Sequence, residues 1–213
     1  MLQFAIPCLL GLESLVGNEI KKLGLSDVVV ENGRILCKGT EADIARLNVN
    51  LRCGARVIVV LGSFRAVSFE ELFQGTRAIA WETFIPRDGE FPVTGYSINS
   101  TLHSVPACQS IVKKAIVERL GQKYGLAQLP ETGKRYQIRF SIMKDEVLIG
   151  LDASGEGLYK RLANAARVEC SIDAILAAAK SKRYALARIR RMMMCAALGV
   201  TAEMAQTRPP YAR

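Results

Sequence analysis

The chain has 213 residues, half of them apolar, enough to bury a core and form one or two small domains. Its net charge of +9 accumulates along the sequence, with balances of −1, +3 and +7 over residues 1–90, 91–160 and 161–213. No apolar run reaches the roughly 18 residues of a membrane span, and the N-terminus lacks the basic region and cleavage site of a secretory leader, so a cytoplasmic location without a membrane partner is expected.

Phe4 to Leu10 reads as a buried strand, and Leu12, Leu15, Val16, Ile20 and Leu23 fall on one helical stripe closed by Gly24. Val28–Glu31 and Arg34–Cys37 flank Asn32-Gly33, the dipeptide suited to the two positive φ angles of a type I′ hairpin turn. A helix over Glu41–Leu51, with Ile44, Ala45 and Leu47 inward, leads to an apolar strand over Arg56–Leu61. The order β-α-β-β-α-β is the ferredoxin-like plan.

The pattern then restarts. Helical segments are expected over Glu70–Ile79 and around Trp81–Phe84, followed by a turn at Pro86–Gly89 and a strand over Phe91–Ser97. Ser104 is placed to cap a long helix with Pro106 in its first turn, and Cys108, Ile111, Val112, Ala115, Ile116 and Leu120 recur at helical spacing. Tyr136–Ile142 should point Ile138, Phe140 and Ile142 inward and Arg139 and Ser141 outward, turn at Lys144-Asp145 and return through Val147, Ile149 and Leu151. Beyond residue 157 alanines accumulate and β-branched runs vanish, so the tail reads as helical.

Six scattered cysteines and one histidine, His103, offer no metal-ligand spacing; no metal is expected and the cysteines read as core. Asp152-Ala153-Ser154-Gly155-Glu156-Gly157 follows a strand, but its glycines do not fit G-x-G-x-x-G and no strand with an acidic residue follows at the right distance, so it reads as a hairpin exit or linker. Asn99-Ser100-Thr101-Leu102-His103-Ser104 can hydrogen-bond to sugar and phosphate groups, or can be an ordinary loop ending in a capping serine. Nothing marks His103 as catalytic. From Lys180 to Leu198, Lys180, Arg183, Arg188, Arg190 and Arg191 share one broad helical face and Leu186, Ile189, Met192 and Met193 the other. Such a helix can lie along a phosphate backbone, rest on an anionic membrane, or simply keep its charges in water. The lack of Trp or Phe anchors favours nucleic acid over membrane.

Several stretches resemble the N-terminal half of bacterial THUMP-containing class I SAM-dependent RNA methyltransferases, the group that includes rRNA guanine-N2 methyltransferases. They are Ala5-Ile6-Pro7-Cys8-Leu9-Leu10-Gly11-Leu12-Glu13, Asn50-Leu51-Arg52-Cys53, Phe69-Glu70-Glu71-Leu72-Phe73 and His103-Ser104-Val105-Pro106-Ala107-Cys108-Gln109-Ser110-Ile111-Val112-Lys113-Lys114. The resemblance implies a ferredoxin-like domain followed by a THUMP domain that holds RNA for a separate catalytic domain. The SAM loop and the catalytic Asn/Asp-Pro-Pro-Tyr motif of that family are not found after Arg161, and Arg208-Pro209-Pro210-Tyr211 lacks the amide or carboxylate before the prolines. In Ala179–Tyr184, Ala187–Arg191 and Pro209-Pro210-Tyr211 the tail resembles the C-terminal helical segment of bacterial tRNA(Met) cytidine acetate ligases. The seam near residues 155–162 is compatible with a natural fusion, a designed chimera or an assembly artefact.

The expected architecture is therefore α+β: a ferredoxin-like domain over 1–62, a THUMP domain over 63–158 and a basic helical tail over 159–213. The expected function is binding of structured rRNA or tRNA, not DNA, with the catalytic domain absent and activity in isolation not expected. SAM is implied only for the full-length family. The alternative is a component that delivers RNA to a separate methyltransferase subunit. Candidate RNA contacts are Asn99, His103, Ser104, Lys113 and Lys114, and in the tail Lys180, Lys182, Arg183, Arg188, Arg190 and Arg191.

Overall fold

Two runs of period-two apolar alternation, each interrupted by helical stripes, build one continuous sheet. The computed structural model describes residues 1–126, 128–155 and 157–158. The elements are β1 (Leu2–Pro7), α1 (Glu13–Lys22), β2 (Ser26–Glu31), β3 (Arg34–Gly39), α2 (Glu41–Asn50), β4 (Ile58–Arg65), α3 (Phe69–Ala78), a 3-10 turn (Trp81–Thr83), β5 (Val93–Ile98), α4 (Val105–Tyr124), β6 (Ile138–Met143) and β7 (Glu146–Asp152). Among the described residues no helix is long and apolar enough to cross a membrane.

The seven strands are ordered β2-β3-β1-β4-β7-β6-β5. Every neighbouring pair is antiparallel except β5–β6, whose parallel register requires a crossover, supplied by α4. The expected boundary between residues 62 and 63 falls inside β4. This strand pairs with β1 through Ile58, Val59 and Val60, and with β7 along its whole length, so it belongs to both halves.

Two apolar clusters lie under the helices. Phe4, Ile6, Val16, Ile20, Ile35 and Leu47 form the first; Leu72, Trp81, Phe91, Val112, Ile116 and Phe140 anchor the second. Leu61 packs against both, which puts all four helices on one face of the sheet. The opposite face carries the alternate residues Ala5, Ile58 and Leu148 as a small cluster of its own. Cys37 and Cys108 are buried as expected, and burial pushes the Cys37 thiol up to about 12; Cys8 and Cys53 are only half-buried.

Local chemistry sets the element ends. Gly24 and Gly125, with φ of 78° and 65°, follow α1 and α4 where the chain must turn left-handed. At α2, Thr40 and Asp43 form a capping box, and the Asp43 carboxylate accepts the Thr40 N–H at 2.8 Å. At α3 the Ser68 hydroxyl accepts from the Glu71 N–H at 3.2 Å.

The structure departs from the sequence expectations in several places. β1 ends at Pro7, and Leu9 and Leu10 lie exposed in a turn closed by the Leu12 N–H on the Leu9 carbonyl. Ala45 faces solvent, because α2 turns only a narrow stripe inward. The hairpin joining β2 and β3 forms, but only Gly33 has positive φ, so it is not type I′. That geometry appears instead at Lys144-Asp145, with φ of 53° and 64°. Ser141, expected outward, is buried because Arg34 Nη1 reaches over the helix-free face and donates to its Oγ at 2.9 Å. Ser104 does precede α4, yet its side chain makes no capping bond. The tail, with Lys180, Lys182, Arg183, Arg188, Arg190 and Arg191, lies outside the described residues.

Candidate functional site

Because β5 and β6 are parallel, their C-terminal ends lie together, with Ile98 opposite Met143. The β6–β7 turn sits at that same end, and so does the end of β4, where Arg65 pairs with Glu146. The loop from β5 to α4 is laid over this corner. Lys144 donates its N–H to the Ile98 carbonyl at 3.3 Å, and Ala66 donates to the Asp145 carbonyl at 2.9 Å. Three segments distant in sequence thus form one surface.

Asp145 ties the loop down. Its Oδ1 accepts from the Ser100 hydroxyl and from the Thr101 N–H, each at 2.8 Å. The Thr101 N–H and the Ser100 hydroxyl, helped by Arg65, hold this carboxyl below the usual carboxylate range. Within the loop, His103 donates its N–H to the Thr101 carbonyl at 3.1 Å, with its Nδ1 equally close to the same oxygen. Asn99 takes a left-handed φ of 51°.

Asn99, His103 and Ser104 are brought together here, all exposed. Lys113 and Lys114 are not part of the cluster. They lie more than two turns along α4 from Ser104, about 13 Å at 1.5 Å per residue. Lys113 is bound at 3.0 Å to Glu131 and stands over the Phe91 ring at 5.2 Å, while Lys114 stands over Phe73 at 5.9 Å. The Lys113 charge is paired within the fold, whereas Lys114 is exposed and makes no ion pair among the described residues.

The corner has cations that the sequence reading passed over. Arg65 and Lys144 are both exposed, and neither makes an ion pair among the described residues. Ile98, whose carbonyl meets the Lys144 N–H, and Tyr96 present apolar surface on β5, Glu146 lies opposite Arg65, and the first turn of α4 contains no acidic residue. The Lys144-Asp145 turn was visible in the sequence; its place beside residues 99–104, some 45 positions away, was not.

At the far end of β7 the charges serve the fold. The Asp152 carboxylate, fully buried, accepts from Arg56 of the first half at 2.6 Å and Arg139 of the second at 2.7 Å. Asp152 Oδ1 also accepts the Ser154 N–H, and the Ser154 hydroxyl accepts the Val57 N–H. Residues 152–155 are thereby a clasp between the halves.

A four-stranded ferredoxin-like half joined through β4 to a mixed β-α-β-β half, with a polar corner on the latter where Arg65 and Lys144 lie beside Asp145 and Glu146, defines a two-part α+β module. Residues 3–58 match the RlmL ferredoxin-like domain and residues 66–152 match the THUMP domain. The chain therefore carries the ferredoxin-like and THUMP domains of bacterial RNA methyltransferases. It is 47% identical over 154 residues to the candidate RNA methyltransferase YpsC of Bacillus subtilis, covering 71% of this chain and 40% of that protein. It is 29% identical over 186 residues to the ribosomal RNA large subunit methyltransferase K/L of Psychromonas ingrahamii, covering 86% of this chain and 25% of that one. A Listeria monocytogenes structure, described as an N6-adenine-specific DNA methylase, superposes with a TM-score of 0.73 at 42% identity over 94% of this chain and 48% of that chain. The chain spans less than half the length of each of these relatives. The likeness expected between the tail and acetate ligases finds no support in these matches.

Proposed function

We propose that this module grips structured RNA, tRNA or rRNA, at the corner formed by Arg65, Tyr96, Asn99, His103, Ser104 and Lys144, and presents it for SAM-dependent methylation. The observation that carries the reading is the pair of exposed cations, Arg65 and Lys144, beside the acid-free start of α4 on a THUMP domain. Arg65 and Lys144 are held in no ion pair among the described residues, although Asp145 and Glu146 lie beside them, whereas Lys113 is paired with Glu131. In this reading residues 1–158 neither bind SAM nor transfer a methyl group, and the chemistry resides in another domain or a separately encoded subunit. The tail arginines Arg188, Arg190 and Arg191 add phosphate contacts of their own.

The test measures binding of a tRNA transcript, an rRNA fragment and duplex DNA at several salt concentrations, for the parent chain and for Arg65→Gln with Lys144→Gln. RNA should bind more tightly than DNA, and the double substitution should weaken it while lowering the slope of log K against log salt by about one unit per lost contact. Preference for duplex DNA would favour the activity named for the Listeria relative. RNA binding indifferent to salt would exclude phosphate recognition.

A further inference from the structure

An acidic side chain at a surface meant for a polyanion looks misplaced. Asp145 stands at the centre of the corner, between Lys144 and Arg65, and simple electrostatics would have it repel phosphate. Its contacts indicate a different role. The carboxylate oxygen that accepts from Ser100 and Thr101 faces the loop, so the charge is already satisfied by two donors. Its main chain joins the same assembly, since the Asp145 carbonyl accepts the Ala66 N–H. One residue thus links the end of β4, the β6–β7 turn and the loop that carries Asn99, His103 and Ser104.

Within the loop Leu102 is buried in the core, its N–H donates to the Ser100 Oγ at 3.3 Å and the His103 N–H to the Thr101 carbonyl, while Asp145 ties the loop to the β6–β7 turn. Residues 99–104 form no regular structure, and Asn99, Lys144 and Asp145 are three of the five non-glycine residues with positive φ among those described. Such conformations persist where surrounding contacts hold them. Removing the carboxylate would leave the Thr101 N–H and the Ser100 hydroxyl without their shared acceptor and release the backbone that aims His103 and Ser104.

We propose that Asp145 is a positioning residue for RNA recognition: its side-chain acceptor shapes the Asn99–Ser104 loop, so that deleting this acceptor weakens binding of a polyanion even though a negative charge is removed with it. The inference rests on the RNA-binding reading above.

Three substitutions separate shape from charge. Asp145→Asn tolerates a left-handed φ and retains an acceptor oxygen, Asp145→Gly suits the turn but has no acceptor, and Ser100→Ala removes one of the two bonds to Asp145, together with the acceptor of the Leu102 N–H, without touching the turn. Affinity is measured for the full chain with whichever of a tRNA transcript and an rRNA fragment the parent binds more tightly. Asp145→Asn should stay within about twofold of the parent. Asp145→Gly should bind on the order of tenfold more weakly with an unchanged salt slope, because no phosphate contact is lost. Ser100→Ala should fall between them. Thermal unfolding of each variant accompanies the titrations, and should Asp145→Gly not fold, Ser100→Ala against Asp145→Asn carries the comparison. Parental or tighter binding by Asp145→Gly, or by Ser100→Ala in that event, would overturn the positioning role, as would equal weakening by Asp145→Asn and Asp145→Gly. A parent chain that binds neither RNA sinks the RNA reading itself, before any variant is compared.

Discussion

The two halves of the sheet reach similar compactness by different means. In the ferredoxin-like half every strand pair is antiparallel, the helices α1 and α2 are ten residues each, and the core is mainly aliphatic around Phe4. The THUMP half has a parallel pair spanned by the twenty-residue α4 and a core built on Trp81, Phe91 and Phe140. The parallel pair is what creates the candidate corner: it brings two strand ends to one edge and obliges the chain to leave them through the 99–104 loop. An antiparallel hairpin in that place would have no such loop.

Different cores predict different sensitivities, yet β4 and the Asp152 clasp predict that the halves unfold together. The largest expected effect is at Trp81, wholly buried with its indole N–H donating to the Thr76 carbonyl at 2.8 Å. Trp81→Ala should cost about 4 kcal/mol from lost burial and the cavity left behind, read as a fall in the urea midpoint by far-UV circular dichroism. A loss below about 1 kcal/mol would mean that the aromatic core collapses around the gap.

Next comes the clasp. Asp152→Ala leaves Arg56 and Arg139 facing each other without the anion between them, and should cost about 3 kcal/mol. It should also split the halves. Trp81 is the chain's single tryptophan and lies in the THUMP half, so its fluorescence follows that half while circular dichroism follows the whole. In the parent the two unfolding curves should coincide over residues of both halves; in Asp152→Ala the fluorescence transition should separate from the other. Coincident curves in the variant would assign the coupling to β4 pairing alone.

The smallest effect distinguishes two serines of the THUMP half that look alike in sequence. Ser68 caps α3 through its hydroxyl, whereas Ser104 stands at the start of α4 without a side-chain bond. Ser68→Ala should cost about 1 kcal/mol and Ser104→Ala less than about 0.3 kcal/mol in thermal unfolding. A comparable loss at both positions would show that Ser104 caps its helix in solution, and would remove it from the surface groups free to meet RNA.

Most of the secondary structure was legible in the sequence, because hydrophobic period depends on neighbours a few residues apart. The stripe of α1, the stop at Gly24, the β2–β3 hairpin, and α4 with Pro106 in its first turn all follow from local sterics and burial. The resemblance carried by residues 5–13 and 103–114 likewise pointed to the ferredoxin-like and THUMP domains that the matches show. Local pattern misled where a partner came from elsewhere. Ser141 alternates as a solvent-facing residue, but Arg34 covers it from four strands away. Asn32-Gly33 has the composition of a type I′ turn, while Lys144-Asp145 adopts those angles in the two-residue β6–β7 hairpin, where Asp145 also meets Ser100 and Thr101.

The candidate site divides along the same line. The sequence by itself determined that the 99–104 loop is polar, that it precedes a long helix, and that cations follow at Lys113 and Lys114. Only the tertiary structure decided which of these charges are available, since availability depends on what lies opposite. Glu131 pairs with Lys113 while Lys114 stays exposed beside Phe73, and the parallel pairing of β5 and β6 carries the loop to the Lys144-Asp145 turn instead. Charge is written residue by residue, but its pairing is set by contacts among segments that share a place only once the sheet has formed.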